Sequence, residues 1–363
     1  MLGAQYQGEK KIELIEIPKP VPKENEVLIK VKYAGICGSD LEAYKTGLYP
    51  AHVVLGHEFC GTIVTPRMEK VLKENKSYPI FGHEFCGTIV EMGPNVKKWK
   101  IGERVTVFPS LHCGKCFFCN QGLTNLCVYE DSIGIGANGG FAEYVLVQDH
   151  HLVALPDSIP DKHGTVFDQI GTCLLALRES KFTAGNSAVV LGLGTMGQFM
   201  LQCLKIAGAR TIVAVEKNPN RLEIAKKFNP DLALNKLTLP KIKRANKRGV
   251  SGSDFVFECS GVPILVNAAL DVVRKGGTIV QIGLWDKPLE INLLKYVMNQ
   301  NHILGVYAYL REDFEFAVDL VARKLINPEP IITKIIPLKD IVEQGFECAI
   351  DPETKDLKIL VEP

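Results

Sequence analysis

The chain has 363 residues, enough for two domains that each bury a core of their own. Its 42 Lys and Arg residues nearly balance 41 Asp and Glu, and the net charge of +1 gives no general attraction to nucleic acid or acidic membranes. No apolar run of about eighteen residues is present, and residues 1–20 lack the apolar core of a signal peptide, so no membrane span is predicted. The eleven cysteines, an odd number, suit a reducing compartment and predict the cytoplasm.

Residues 1–155 form the first predicted domain, in which short apolar runs are broken by Gly and Pro. The segments VLIKVKYAGI, GTIVEMGPNV, GERVTVFP and GGFAEYVLVQ have the composition of strands, which predicts a β-rich domain. From 156 to 302, apolar strands alternate with helical stretches, a pattern that predicts a doubly wound parallel sheet and hence an α/β fold. Residues 303–363 return to short mixed elements, and we expect them to pack against the first domain.

One segment of the first domain is repeated. GHEFCGTIV occurs at 56–64 and again at 82–90, and identity over the whole of both copies does not arise by chance. Because no third copy exists, the repeat does not predict a solenoid. It indicates a local duplication or a boundary error in the coding sequence.

A cluster of four cysteines lies between residues 113 and 127, with the spacing C-x2-C-x2-C-x7-C. It consists of Cys113, Cys116, Cys119 and Cys127. Four thiolates this close in sequence can complete a tetrahedral shell around one Zn²⁺ with no open position, which is the ligand set of a structural site. Two local disulfides are the alternative, but clustered cysteines in a large chain of this type favour metal.

A second metal site is predicted from Cys37, in GICGSD, and from the Gly-His-Glu sequence of the repeated segment. A histidine beside a carboxylate in an apolar strand is costly to bury unless both bind something. A thiolate and an imidazole, completed by a carboxylate or water, make an open zinc site suited to Lewis-acid chemistry. Asp168, in GTVFDQIGT, is a candidate for the remaining ligand, although a carboxylate at the start of a helix also has a purely structural explanation.

The sequence GLGTMG follows an apolar strand and opens an apolar helix, the context in which G-x-G-x-x-G binds a dinucleotide. Gly192 permits the tight turn, Gly194 lets the backbone approach a pyrophosphate, and Gly197 allows close helix–strand packing. Glu216 ends the next strand, where a carboxylate binds the adenosine ribose and repels a 2′-phosphate, so NAD is favoured over NADP. A nearby cation, Arg221, reduces that preference. The predicted cofactor contacts are Gly192, Gly194, Thr195, Met196, Gly197, Glu216 and Arg221.

GICGSD, the Gly-His-Glu motif, the four cysteines, GGFAEYV at 139–145 and GLGTMG together make the chain resemble the zinc-dependent medium-chain dehydrogenases over essentially its whole length. GLWDKPLEIN and EQGFECAI resemble most the branch that contains polyol, butanediol and threonine dehydrogenases. The resemblance implies a GroES-like catalytic domain split in sequence around a Rossmann domain, with one catalytic and one structural zinc per subunit. It also implies oxidation of a secondary alcohol, diol or polyol by NAD, and a homodimer or homotetramer.

The family has one Gly-His-Glu motif, whereas this chain has two. His57 lies at the family's usual distance from Cys37, but only the second copy runs on into EMGPNVKKWKIGERV, the family's continuation. A loop ahead of the histidine accommodates an insertion at low cost in closure entropy, whereas a strand within a sheet has its register fixed by pairing. We therefore expect His83 and Glu84 to serve the metal, with His57 and Glu58 as the alternative.

Within this framework each residue near the metal has an expected role. Cys37 and His83 hold the zinc, while Glu84 either ligates it or exchanges with water. The Ser39 hydroxyl accepts the proton of the substrate alcohol and passes it outward. Asp40 orients the metal-bound histidine through the other ring nitrogen.

Other interpretations stay open at this point. The duplicated segment could have disrupted the active site, which would leave an NAD- and zinc-binding protein with a binding or regulatory role and no catalysis. A zinc-free quinone reductase of the same architecture is disfavoured by the two zinc signatures. Glu42 stands where many relatives have a proton-relay histidine, and it is equally well explained as a surface residue. The basic stretch at 241–248 lacks the interleaved aromatics of a nucleic-acid site, so no nucleic-acid partner is predicted.

Overall fold

A computed structural model of the chain describes residues 1–47, 80–245, 251–285, 288–351 and 353–363. The first copy of the repeat, with His57 and Glu58, lies outside the described residues. The strands of the first part are β1 (Leu2–Gly8), β2 (Lys11–Glu16), β3 (Glu26–Gly35), β4 (Glu84–Met92), β5 (Arg104–Val107), β6 (Ser110–Leu111), β7 (Asp131–Ser132), β8 (Tyr144–Gln148) and β9 (Leu152–Ala154). Its helices are α1 (Gly38–Thr46) and α2 (Phe117–Asn120).

Helices and strands alternate in the second part, as the sequence predicts. They are α3 (Phe167–Glu179), β10 (Ser187–Leu191), α4 (Thr195–Ile206), β11 (Thr211–Val215), α5 (Pro219–Lys226), β12 (Leu232–Leu234), α6 (Leu239–Ala245), β13 (Ser253–Glu258), α7 (Ile264–Val272), β14 (Val273–Gln281), α8 (Leu293–Met298), β15 (His302–Gly305) and α9 (Arg311–Ala322). The last part contains β16 (Ile332–Pro337), a π-helical turn at 341–347, α10 (Cys348–Ile350) and β17 (Lys358–Glu362). No helix in these described ranges is both long and apolar enough to cross a membrane.

The chain divides into two compact units. The first comprises Met1–Phe167 and Ile332–Pro363, and the second comprises Asp168–Ile331. These boundaries lie later than the expected ones at 156 and 302.

Two arginines make contacts within these units. The Arg104 guanidinium donates to the backbone carbonyls of Pro156 and Ile159 and to the Asp161 carboxylate, which keeps this stretch with the first unit. The Arg178 guanidinium makes a two-pronged contact of 2.6 and 3.0 Å with the Asp313 carboxylate, which ties α9 to α3 within the second unit. Neither contact has a signature in the local sequence, because the paired groups are far apart along the chain.

The first unit is built around a mixed seven-stranded sheet with the order β16-β17-β3-β4-β5-β9, in which β8 also pairs with β3. β3 is central, since β4 pairs antiparallel along most of its length, β8 pairs with its first half and β17 with its last residues. Its core consists of aromatic and branched aliphatic side chains such as Tyr6, Ile29, Phe85 and Phe141. The second copy of the repeat therefore lies in the middle of the sheet.

The second unit contains a six-stranded sheet with the order β12-β11-β10-β13-β14-β15, and every neighbouring pair is parallel. Counted from β10, this is the 3-2-1-4-5-6 order of a dinucleotide-binding fold. Every residue of β10 and β11 is buried, as expected for strands covered on both faces. The prediction of a doubly wound parallel sheet joined to a β-rich domain is confirmed.

Asp254 joins the amino ends of three adjacent strands of this sheet. Its Oδ2 accepts hydrogen bonds of 2.8 Å from the Ser187 backbone N–H and hydroxyl, and its Oδ1 accepts one of 2.7 Å from the Arg274 guanidinium. Burial raises the pKa of the Asp254 carboxyl, but the hydrogen bonds from Arg274 and Ser187 outweigh burial, and the pKa is lowered. The carboxylate therefore stabilises the sheet in its charged form.

We expect Asp254→Asn to lower the free energy of unfolding by about 2 kcal/mol at neutral pH, because hydrogen bonds to a charged group are lost. A depressed native pKa contributes stability above the ordinary value of 3.8 and loses it as the pH falls through the native pKa. The difference between the two proteins should accordingly shrink below about pH 4. Urea unfolding at several pH values measures it.

The control is Asp319→Asn, which removes an exposed ion pair with Arg323 on α9. This change should cost less than about 1 kcal/mol. Equal stability of wild type and Asp254→Asn at pH 7 would contradict the role of Asp254.

Candidate active site and metal centres

The four cysteines predicted to bind metal lie together. One ligand atom from each of Cys113, Cys116, Cys119 and Cys127 lies within 4.8 Å of all the others. The Sγ atoms of Cys113 and Cys119 are 4.0 Å apart, and those of Cys116 and Cys127 are 3.9 Å apart. These separations fit a zinc tetrahedron, whose edge is about 3.8 Å for Zn–S bonds of about 2.3 Å. All four side chains therefore suit one closed metal site.

Local backbone geometry prepares these thiols for metal. Gly114 and Gly122 have φ angles of +69° and +79°, which let the chain reverse between the cysteines. The Cys127 Sγ accepts hydrogen bonds of 3.3 Å from the backbone N–H groups of Cys113 and Tyr129. Backbone N–H groups also lower the pKa of Cys116 to about 6. At neutral pH this favours the thiolate of Cys116, the form that binds metal, whereas burial raises the pKa of Cys127 to about 12.

The second predicted metal site is built by the pairing of β3 with β4. In that antiparallel pair Gly35 lies opposite Glu84. Cys37 follows the end of β3 by two residues, and His83 directly precedes β4, so the register brings the thiol and the imidazole to the same place. One ligand atom from each of Cys37, His83 and Glu84 lies within 4.8 Å of the other two.

The electrostatics of this group fit a cation. His83 and Glu84 are only 6% and 4% exposed. Burial raises the pKa of the Cys37 thiol, and the neighbouring Glu84 charge raises it further. A divalent cation would reverse both effects, since a coordinating thiol is deprotonated by the metal. A thiolate, an imidazole and a carboxylate are also the donors of catalytic zinc sites that keep a position for substrate.

Asp40 lies beside both of the first two ligands. Its Oδ2 accepts a 2.9 Å hydrogen bond from the Cys37 backbone N–H, and its Oδ1 is 3.6 Å from Nδ1 of His83. Burial raises the pKa of Asp40 to about 6. The role of orienting a metal-bound histidine through its second ring nitrogen stays a prediction.

For Ser39, Glu42 and Asp168 the structure shows the position in the fold. Ser39 is half-buried in the first turn of α1, and Glu42 is exposed on the same helix. Asp168 belongs to the second unit, where its Oδ1 accepts a hydrogen bond from the Tyr309 hydroxyl. Its role as a metal ligand stays a prediction, as does the choice of the second Gly-His-Glu copy over the first.

Sequence reasoning missed Lys358. This lysine is 1% exposed, on β17, and its Nζ forms an ion pair with Oε2 of Glu84. Nζ also donates to the Ile36 carbonyl at 3.1 Å. Although burial lowers the pKa of Lys358, the charges of Glu84 and Cys37 outweigh it and the pKa is raised. The sequence does contain one indication of this contact, the lysine that opens the apolar run KILV of β17. Lysine is almost never fully buried without a partner, so a buried strand that begins with lysine predicts an ion pair.

The glycines of GLGTMG have the geometry that a dinucleotide loop requires. Gly192 has a φ of +84°, and a Cβ at Gly197 would lie 2.0 Å from the Gly192 carbonyl oxygen, so neither position accepts a side chain. Nothing lies within 4 Å of a Cβ built on Gly194, the residue before α4. A phosphate therefore has open space at the amino end of that helix.

Glu216 connects this loop to the end of β11. Its Oε2 accepts from the Leu193 backbone N–H and its Oε1 from the Asn218 backbone N–H, each at 2.8 Å. Asn218 in turn caps α5 by accepting from the backbone N–H of Arg221. Thr195 and Met196 open α4 beside the loop. The predicted cofactor residues thus surround the strand ends at which dinucleotides bind in this fold.

Known proteins share both domains. The profile of the zinc-binding dehydrogenases matches residues 195–323, and that of the alcohol dehydrogenase GroES-like domain matches 23–74 and 67–157. The two GroES-like matches each contain one copy of the repeat.

Individual relatives match along their whole length. An (R,R)-butanediol dehydrogenase of Bacillus subtilis is 33% identical with 100% of both chains covered, and a D-arabitol-phosphate dehydrogenase of Enterococcus avium is 31% identical over 99% of this chain and 96% of its own. The crystal structure of 2R,3R-butanediol dehydrogenase from Bacillus subtilis superposes with a TM-score of 0.86 at 31% identity, covering 100% of this chain and 99% of its own. A zinc-binding dehydrogenase from Sinorhizobium meliloti bound to NADP has a TM-score of 0.84 at 27% identity, covering 100% and 99%.

Cys116→Ser should remove about one zinc per chain and lower the thermal midpoint by about 5–10 °C, because a closed metal site contributes folding free energy. Metal analysis and thermal unfolding measure the two effects. Cys348→Ser is the control, since Cys348 is a half-exposed thiol outside both metal clusters. Unchanged zinc content in Cys116→Ser would refute the four-cysteine site.

Proposed function

Because the chain belongs to the zinc-binding dehydrogenases with a GroES-like domain, we propose that it transfers a hydride between NAD and a secondary alcohol, diol or polyol. The observation that carries this proposal is the meeting of Cys37, His83 and Glu84 within 4.8 Å in a buried environment. The four-cysteine site would hold a second, structural zinc. No observation favours the alternative of a protein whose active site the duplication has disrupted.

Zinc held by Cys37, His83 and Glu84 would supply Lewis-acid chemistry that makes the substrate hydroxyl more acidic. The chain's own residues would hold and orient that metal: Cys37 and His83 would ligate it, and Asp40 would fix the imidazole. Ser39, two residues after Cys37 and half-buried, is proposed to accept the hydroxyl proton and pass it outward. Burial of His83 and Glu84 excludes water from the donors and strengthens their electrostatic effect.

NAD is the proposed cofactor, and the support lies in Glu216. A carboxylate that is fixed by two backbone N–H groups at the end of β11 can accept the ribose hydroxyls and repels a 2′-phosphate. The Sinorhizobium relative was crystallised with NADP, so the preference for NAD in this chain rests on Glu216 and not on the likeness to relatives. The hydride chemistry belongs to the nicotinamide, while the protein supplies binding and orientation.

Two relatives support the proposed substrate class. They act on a vicinal diol and on a sugar-alcohol phosphate. For this chain we propose secondary alcohols, diols and polyols. Cytoplasm is the proposed compartment, supported by the ten described cysteines, all of which are free thiols.

Self-association completes the proposal, with a second copy of the chain as the partner. Leu293, Leu294, Val297 and Met298 of α8 are between 65% and 72% exposed. The next strand, β15, is the last of its sheet, and within the described ranges no further strand pairs with it. Two copies of the chain can pair their β15 strands about a twofold axis. The backbone N–H and C=O groups along the outer edge of each β15 would then hydrogen-bond to the other copy, and the apolar side chains of both α8 helices would be covered.

Cys37→Ser should lower kcat by at least about a thousandfold, since metal activation contributes several kcal/mol to the barrier. NAD binding, followed by fluorescence titration, should stay unchanged, and zinc should fall from two ions per chain to one. The assay is the NADH absorbance with butanediol, sorbitol, threonine and simple secondary alcohols. Cys348→Ser is again the control. Undiminished turnover in Cys37→Ser would contradict the proposal that Cys37 holds a catalytic metal.

Leu294→Glu combined with Val297→Glu should convert the oligomer to a monomer, because like charges cannot be buried unpaired in an apolar contact. Light scattering after size-exclusion chromatography gives the mass. Ile101→Glu, at a 65% exposed position of the first unit, should leave the mass unchanged. A wild-type protein that is already monomeric would contradict the proposal.

A further inference from the structure

Lys358 gives the candidate metal site a feature that the proposed function does not require. The lysine side chain is 2% exposed and that of Glu84 is 0% exposed, so their ion pair is sealed from water. Burying two charges is costly and is repaid only when geometry and hydrogen bonds are good. Here the lysine Nζ has two oxygen partners, Oε2 of Glu84 and the Ile36 carbonyl.

The charges of the site explain why a cation is needed there. Cys37, Asp40 and Glu84 contribute three negative charges when a metal is bound, and a divalent cation offsets two of them. Lys358 supplies the third positive charge. The buried group is then neutral as a whole, which is the condition under which charges are tolerated in a protein interior.

Because of this contact, the Glu84 carboxylate would interact with two cations, the Lys358 ammonium and the metal. Because Lys358 holds Oε2, the carboxylate carries less negative charge toward a metal and cannot turn both oxygens to it. We propose that Lys358 is a positioning residue, which keeps Glu84 a weak and displaceable ligand at the metal site. The inference deepens the proposed function and rests on it.

Gly35 supports the contact between Lys358 and Glu84. A Cβ on this residue would lie 2.6 Å from Oε2 of Glu84, 2.6 Å from Cε of Lys358 and 2.9 Å from its Nζ. Glycine at the end of β3 therefore leaves the space through which the lysine reaches the carboxylate. Gly35→Ala would press the pair apart without changing any charge.

The test substitutes Lys358→Met, which keeps the length of the side chain and removes its charge. Glu84, released from its cation, should bind the metal more strongly, so that loss of Co²⁺ from the cobalt-loaded enzyme to a chelator slows by about tenfold. The visible absorption bands of Co²⁺ should shift, and kcat should fall by about tenfold with KM for NAD unchanged. Lys358→Arg should restore the wild-type bands.

Two further variants keep the result interpretable. Lys32→Met removes the exposed ion pair with Glu362, which joins β3 to the same strand β17, and should leave all three measurements unchanged. If Lys358→Met does not fold, Gly35→Ala decides, because it should shift the Co²⁺ bands in the same direction. Wild-type bands and release rate in Lys358→Met, or in Gly35→Ala if only that variant folds, would overturn the inference.

Cys37→Ser separates this failure from a failure of the proposed function. If Cys37→Ser binds as many Co²⁺ ions as the wild type, the catalytic metal site itself is wrong. If Cys37→Ser loses one ion while Lys358→Met behaves as wild type, only the role of Lys358 is wrong.

Discussion

The register between β3 and β4 is the constraint on which the first unit depends. It sets Gly35 opposite Glu84, and from that pairing follow the meeting of Cys37 with His83 and the passage of Lys358 to the carboxylate. A slip of one residue would turn the side chains of β4 to the other face of the sheet and dissolve the group. The site is therefore as rigid as the sheet, which is what chemistry at a fixed metal requires.

Placing acidic groups together in the interior has a cost that the chain manages in two ways. In the four-cysteine site backbone N–H groups point at the Cys127 sulfur, and the other three cysteines are only half-buried. Around Cys37 the groups are deeply buried, and a lysine from a distant strand supplies the balancing charge. The first arrangement suits a metal that only holds the chain together. The second suits a metal whose ligands must adjust to a substrate.

Features encoded locally could be predicted from the sequence. The four-cysteine spacing, the glycine-rich loop and the buried parallel strands each lie within a short stretch, and the structure forms all of them as expected. Contacts between distant residues could not be predicted: Arg104 donates to carbonyls 52 and 55 residues away, and residues 156–161 belong to the first unit. Lys358 was missed for the same reason, since a single lysine in an apolar strand does not reveal its partner.

The two metal centres differ in how much of the polypeptide must exist before they can form. All four thiols of one centre emerge from the ribosome almost together, whereas Glu84 and Lys358 are separated by 274 residues that include the entire nucleotide-binding unit. A nascent chain can therefore take up zinc at the four-cysteine centre while the other still lacks its balancing cation. The four-cysteine centre is thus complete once residue 127 has been made, whereas the balanced group around Glu84 needs almost the whole chain.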